Sequence, residues 1–342
     1  MKKIAYFIIL AMCISLFGCA SNEKKTSIKP FKREQPPLIN LNGGTDDKDE
    51  ACCYTEENLT EDEKNNTPFM AIIENSKDAR PQSGLSEADI VFETMAEGGI
   101  PRFIALFHKN SPKQIGPIRS VRPYFISIAK EFNVPFAHCG GSEEALSIIK
   151  NTPSVNNINE ISNGEYFYRD NSRKAPHNLY TTASQIRKYI DSKKIKTDLK
   201  CSFNFDNKFW ERGNMDKATK IDLSINKSYS TTYKYVNGKY EKYMDGVKVV
   251  DKNNNLPVTF SNVVIQNTDI KLQSDNTHLD INLIGKGTGF VFSSGKVTKV
   301  NWQRNSENEQ TELFTEDGNK VCFSKGTTIW HIVDNSVTSK YN

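Results

Sequence analysis

The chain has 342 residues, 45 Lys and Arg against 41 Asp and Glu, and 37% hydrophobic residues. That length suits two ordinary domains, and so small a positive surplus lacks the clustered basic face that nucleic acid demands, so no nucleic-acid partner is expected. Seven cysteines and five histidines show neither paired CxxC units nor ligand spacing, so no metal site, disulfide framework or cofactor is indicated.

Lys2 and Lys3 precede an apolar run from Ile4 to Phe17, followed by Gly18 and Cys19. A short positive region, an apolar stretch too short to span comfortably and a small residue at the break read as a secretory signal over 1–18. Leu16-Phe17-Gly18-Cys19 resembles the bacterial lipobox, which implies cleavage before Cys19 and diacylglycerol on its thiol. Two acyl chains suffice for stable anchoring, which places the protein on the extracytoplasmic face of the cell membrane. Residues 19–67 are rich in Lys, Glu, Asp, Asn and Pro, too polar to offset their ordering entropy, and are expected to be a flexible tether. Cys52 and Cys53 would then be exposed, whereas Cys139, Cys201 and Cys322 sit in apolar surroundings suited to buried thiols.

Beyond the tether, Phe69–Ile73 and Ile90–Phe92 are apolar runs of strand length. Phe103–Phe107 follows a Gly98-Gly99 turn, which predicts an antiparallel hairpin with Ile90–Phe92. Phe125, Ile128, Ala129 and Phe132 fall at helical spacing, with Ser120 as cap and Pro123 in the first turn. Val134–Ala137 reads as a strand leading through Gly140-Gly141 into a helix marked by Ala145, Leu146 and Ile149. Thr182 with Gln185 has the form of a capping box before Ala183, Ile186 and Ile190. Together these predict an α/β domain with a mixed sheet over 68–205. After about Ile221, Asn237-Gly238, Asp245-Gly246, Ser294-Gly295 and Asp317-Gly318 punctuate β-type runs, which predicts a mainly antiparallel β domain over 222–337. GKGTGF (285–290) has no helix after it, so it reads as a bend or bulge and not as a nucleotide loop.

ENSKDARPQSGLSEADIVFE, EGGIPRF, GPIRSVRPYF and GGSEEAL, then NVVIQ, GKGTGF, NW and GTTIW, occur in an order that resembles the YerB-like lipoprotein family, built from an N-terminal and a C-terminal domain of unknown function. The resemblance covers nearly everything after the tether and implies architecture and location, but no reaction. Lys242 and Val249 stand where the family tends to carry an arginine and a histidine, which makes the C-terminal domain the poorer place to look for chemistry.

Residues at strand carboxyl ends and helix starts line the usual ligand crevice of α/β sheets. Arg80, Arg102, Arg119 and Arg122 lie near such ends, and guanidinium groups bind carboxylates bidentately. The alternative is internal pairing with Asp78, Asp89, Glu93 or Glu97. Arg173, His177 and Asn178, with Asp170, form a second polar group among aromatics. His138 and Ser142 flank the Gly140-Gly141 turn, where Ser142 with Glu143 and Glu144 reads first as a helix cap. Cys139 beside His138 is no nucleophile pair, because strand neighbours point to opposite faces. Glu93 and Asp170 are the only carboxylates singled out for glycan hydrolysis. The expectation is therefore a membrane-anchored binding or scaffolding protein for a cell-wall glycan, a peptide or another acidic envelope ligand. The alternative is a hydrolase acting on the same material.

Overall fold

The computed structural model describes residues 51–342 except Asp198, Ser202, Gly213 and Asn214. Cys19, the signal segment and the tether up to residue 50 lie outside the described residues. The first strands are β1 (Phe69–Glu74), β2 (Ile90–Met95) and β3 (Pro101–Phe107), with α1 (Glu61–Lys64) before them. Then come α2 (Pro123–Phe132), β4 (Phe136–His138), α3 (Glu143–Asn151), β5 (Asn157–Asn159), β6 (Tyr168–Arg169), β7 (Leu179–Tyr180) and α4 (Ala183–Ser192). Two short strands, β8 (Asn204–Phe205) and β9 (Asp216–Lys217), lead into a ribbon of β10 (Lys220–Ser224), β11 (Ser230–Val236), β12 (Lys239–Met244), β13 (Val247–Lys248) and β14 (Thr259–Phe260). The remainder is β15 (Asn262–Thr268), β16 (Ile270–Leu272), β17 (Leu279–Ile281), β18 (Gly285–Ser293), β19 (Lys296–Arg304), β20 (Glu312–Thr315), β21 (Cys322–Phe323), β22 (Thr328–Asp334) and β23 (Thr338–Tyr341).

Among the described residues an 11-stranded mixed sheet runs β20-β19-β18-β15-β22-β2-β3-β1-β4-β5, with β9 on β19. A 6-stranded antiparallel sheet runs β13-β12-β11-β10-β23, with β14 on β12. Every residue of β1 is buried because both faces of the large sheet are covered. Phe69, Ala71 and Ile73 join one core cluster with Tyr233 and Tyr240 of the smaller sheet and Ile186 of α4. Met70 and Ile72 point the other way, into a cluster with Phe125 and Phe132 of α2 and Ala145 of α3. The mixed sheet with few helices and the antiparallel strands after it match the sequence reading.

Two local expectations hold and a third is corrected. The hairpin pairs β2 with β3 antiparallel, and Gly98 and Gly99 take φ of 63° and 71°, which glycine adopts without a Cβ penalty. Ser142 and Thr182 cap α3 and α4 by accepting from the backbone N–H of Ala145 and Gln185. Arg122, not Ser120, is the N-cap of α2, with Pro123 in the first turn.

Other features differ. β22 lies between β2 and β15 and is parallel to both, so segments 68–205 and 222–337 share one sheet. Period and turn signals are local and cannot report that a strand returns more than 200 residues later. Residues 51–67 are built into the fold: Cys52, Tyr54 and Thr55 are fully buried, and Cys53 forms a disulfide with Cys201 across 148 residues. The cysteine pattern held no sign of so distant a pair. Cys201 is exposed, and Cys139 and Cys322 are half-buried, so the expected burial of all three is corrected. GKGTGF is neither bend nor bulge: β18 stays in continuous register with β15 and β19. Its glycines permit close approach, since a Cβ on Gly289 would lie 2.1 Å from the Ile265 carbonyl oxygen and one on Gly287 2.5 Å from the Trp302 ring nitrogen.

Candidate functional site

β1, β4 and β5 are parallel neighbours, and their carboxyl ends point to one edge, where α/β sheets usually form a ligand crevice. Glu74 ends β1 there. Its Oε1 accepts from Ser76 Oγ at 2.8 Å and meets Arg119 Nη2 at 3.2 Å, while Oε2 lies 2.9 Å from His177 Nδ1. The Arg119 backbone N–H donates to Ile72 O, and its carbonyl accepts from Cys139 N–H. The residue is thereby clamped between the ends of β1 and β4 while its side chain keeps 29% exposure.

The loop after Glu74 gathers further donors. Arg173 donates to Ala79 O at 2.8 Å and Pro81 O at 2.6 Å, and among the described residues no carboxylate lies within ion-pair distance of it. Arg80 pairs with Asp245 at 2.6 Å and reaches Asn75 Oδ1 at 3.3 Å. Asn178 is buried and accepts from Arg169 at 3.1 Å. Asp170 pairs with Lys252 at 3.1 Å; hydrogen bonds from Ser172, with Lys252 adding to them, hold its carboxyl far below the ordinary carboxylate range.

Arg102 and Arg122 belong to the next stretch of the rim. Arg102 faces Glu74 across the β1–β3 register, donates to Ser120 O at 2.8 Å and reaches Glu97 at 3.3 Å. Arg122 forms an ion pair with the same carboxylate. The two tie the Gly98-Gly99 turn to the start of α2, the internal pairing with Glu97 considered above. Burial lowers the pKa of both guanidinium groups.

His138 and Ser142 do not face a ligand rim. His138 is fully buried, with Nδ1 2.8 Å from Gly140 O and Nε2 3.1 Å from Asn157 Oδ1, and burial lowers its pKa. Ser142 is spent on its cap. Cys139 donates to Glu160 Oε2 at 3.2 Å; burial, reinforced by that glutamate, pushes its thiol up to about 11, so it is no nucleophile at neutral pH.

Glu93 is not on the rim but beneath it, 1% exposed. Lys242 Nζ contacts its Oε2 at 2.7 Å and Asn75 donates to its Oε1 at 2.9 Å. Lys242 also donates to Tyr233 OH at 3.0 Å, and Tyr233 OH lies 2.7 Å from His331 Nε2. His331 Nδ1 comes within 3.5 Å of Glu93 Oε2 but makes no hydrogen bond among the described residues. Since Tyr233 accepts from an ammonium, its own proton goes to Nε2, which assigns the Nδ1–H tautomer. The C-terminal segment therefore contributes the cation that neutralises Glu93. Sequence reading missed Glu74, Tyr233 and His331; the one available signal for Glu74 was an acidic residue closing the apolar run Phe69–Ile73.

Models described as "Protein of unknown function (DUF3048)", N-terminal and C-terminal domains, match residues 54–196 and 219–330. The chain is 30% identical over 312 residues to "Putative lipoprotein YerB" of Bacillus subtilis (strain 168), across 89% of this chain and 88% of that protein. The crystal structure of YerB from Bacillus subtilis superposes with a TM-score of 0.76 at 27% identity, covering 85% of this chain and 99% of that one. With both domain models matched in order and the fold shared, the chain belongs to the YerB-like DUF3048 family.

Proposed function

We propose that the protein is a lipid-anchored lipoprotein of the cell envelope that binds an acidic ligand at the edge formed by Arg119, Arg173, His177 and Asn178 around Glu74. The anchor rests on the signal-like segment 1–18, on Cys19, and on the name of the Bacillus relative. No helix among the described residues is long and apolar enough to cross a membrane, so in this reading the lipid supplies the attachment. Binding is supported chiefly by one observation: among the described residues Arg173 has only backbone carbonyls as partners, and the Arg119 guanidinium meets only Glu74. A wall peptide carboxylate or sugar-linked acid presents the planar oxygens that such guanidinium groups take bidentately.

No observation favours hydrolysis. A glycosidase acid must carry its proton near neutral pH, whereas Asp170 is held as a carboxylate and Glu93 is enclosed against Lys242. The test is incubation of the chain with purified peptidoglycan fragments, following retention and cleavage together. Retention without cleavage, lost on Arg173→Ala, is expected; cleavage, or retention indifferent to that change, refutes the reading. For the anchor, Cys19→Ser should release the protein from membranes or stop its maturation, and normal processing with membrane retention would contradict it.

A further inference from the structure

Beyond the Arg80 end of the loop lies a cleft of about 430 Å³ between the loop and the smaller sheet, within the usual range of small-molecule sites. Pro81 forms one wall, and Met244, Val247, Val249 and Val250 form the other. The second wall follows from a two-residue turn: Asp245 and Gly246 take φ of 52° and 81°, the mirror-image geometry that closes tight hairpins. Among the described residues this turn leaves Val247 at 70% exposure. Val249 is 5% exposed at the base, so the position where the resemblance led us to expect a histidine makes this cleft apolar.

The cations around the cleft differ in how they are paired. Arg80 is engaged by Asp245, and Lys248 is engaged by Glu241 at 2.8 Å. Lys77 has no carboxylate within ion-pair distance among the described residues and lies 5.5 Å from the centre of the Tyr229 ring. The cleft thus joins an apolar trough to an exposed ammonium that feels Asp245 only at a distance and is not ion-paired among the described residues. We infer that it binds a monoacyl carboxylate, an amphiphile with one linear apolar chain along Pro81, Met244, Val247 and Val249 and its anionic head at Lys77. A concave trough with one protruding valine accepts a single chain and does not present the broad apolar face that a bilayer surface would need. This inference goes beyond the ligand rim and stands without it.

The experiment is calorimetric titration of chain 19–342 carrying Cys19→Ser, without detergent or wall material, against laurate, octanoate, acetate and dodecyl maltoside. Saturable binding of laurate is expected, weakening roughly fourfold for each methylene removed. Lys77→Glu should weaken it roughly fivefold, less in high salt, and Val247→Glu should abolish it. Both residues are exposed, and an unchanged urea midpoint verifies that the variants fold. Absence of laurate binding, acetate binding as tightly as laurate, dodecyl maltoside binding equally, or a Val247→Glu variant that still binds would each overturn the inference. So would attachment to phosphatidylglycerol vesicles in place of laurate, which would make the patch a membrane surface.

Discussion

Two glutamates at the ends of similar apolar runs have the same kinds of partner in opposite surroundings. Glu93 meets Lys242 and His331, and Glu74 meets Arg119 and His177. Around Glu93 both partners are 1% exposed; around Glu74 they keep 29% and 22%. Water, not side-chain chemistry, separates the enclosed cluster from the edge proposed to bind. An enclosed charge that loses its partner has nothing to replace it, whereas a rim cation can exchange its contact for solvent or for a ligand.

The largest effect is expected at the enclosed cluster. Lys242→Met should cost about 3–5 kcal/mol by leaving Glu93 buried and unpaired, and adding Glu93→Leu should recover most of it. Urea unfolding of the single and double variants decides this, and a loss below about 1 kcal/mol for the single change would erase the contrast.

At the edge the pattern should reverse. Arg119→Ala should lower stability by less than about 1 kcal/mol while costing affinity for an acidic wall fragment about 1.5–3 kcal/mol, with Lys restoring only part. A large fall in unfolding midpoint with unchanged affinity would move Arg119 into the structural class.

Acidity gives a second handle on the enclosed cluster. Burial, with the Lys242 ammonium adding to it, holds His331 well below the ordinary value of 6.5. Below pH 6.5 the unfolded chain therefore takes up a proton that the folded chain refuses, and stability is lost as pH falls. Asp89 works in the opposite sense: burial raises it to about 6, so the folded chain gains a proton, and stability, as pH drops through that value. Comparing His331→Gln with the unchanged chain isolates the histidine, whose removal should flatten the decline below pH 6.5 by up to about 1.4 kcal/mol per pH unit. Parallel curves would show that the cluster is not sealed. The smallest effect belongs to His177→Ala, which should alter stability by less than about 1 kcal/mol in urea unfolding, because Glu74 retains Arg119 and Ser76.

Much of the scaffold was legible because its signals are local. The Gly98-Gly99 hairpin, the Ser142 and Thr182 caps and the run into β1 each depend on a few neighbouring residues. The site was legible only in part. Arg119, Arg173, His177 and Asn178 were singled out by type, but Arg102 and Arg122 look the same in sequence and spend their charge on Glu97. His138 and Ser142 occupy the predicted strand-to-helix turn, yet face Asn157 and the α3 backbone.

By itself the sequence determined the hairpin strands, the Ser142 and Thr182 caps, the family, and the expectation of a secreted, lipid-bearing N-terminus, since each rests on short-range pattern or composition. Only the tertiary structure decided that β22 would enter between β2 and β15, that Cys53 would find Cys201, and which glutamate would be sealed from water. These outcomes depend on residues more than a hundred positions apart meeting in space, and on the solvent each meeting excludes. Periodicity, turn dipeptides and charge counts carry no record of either.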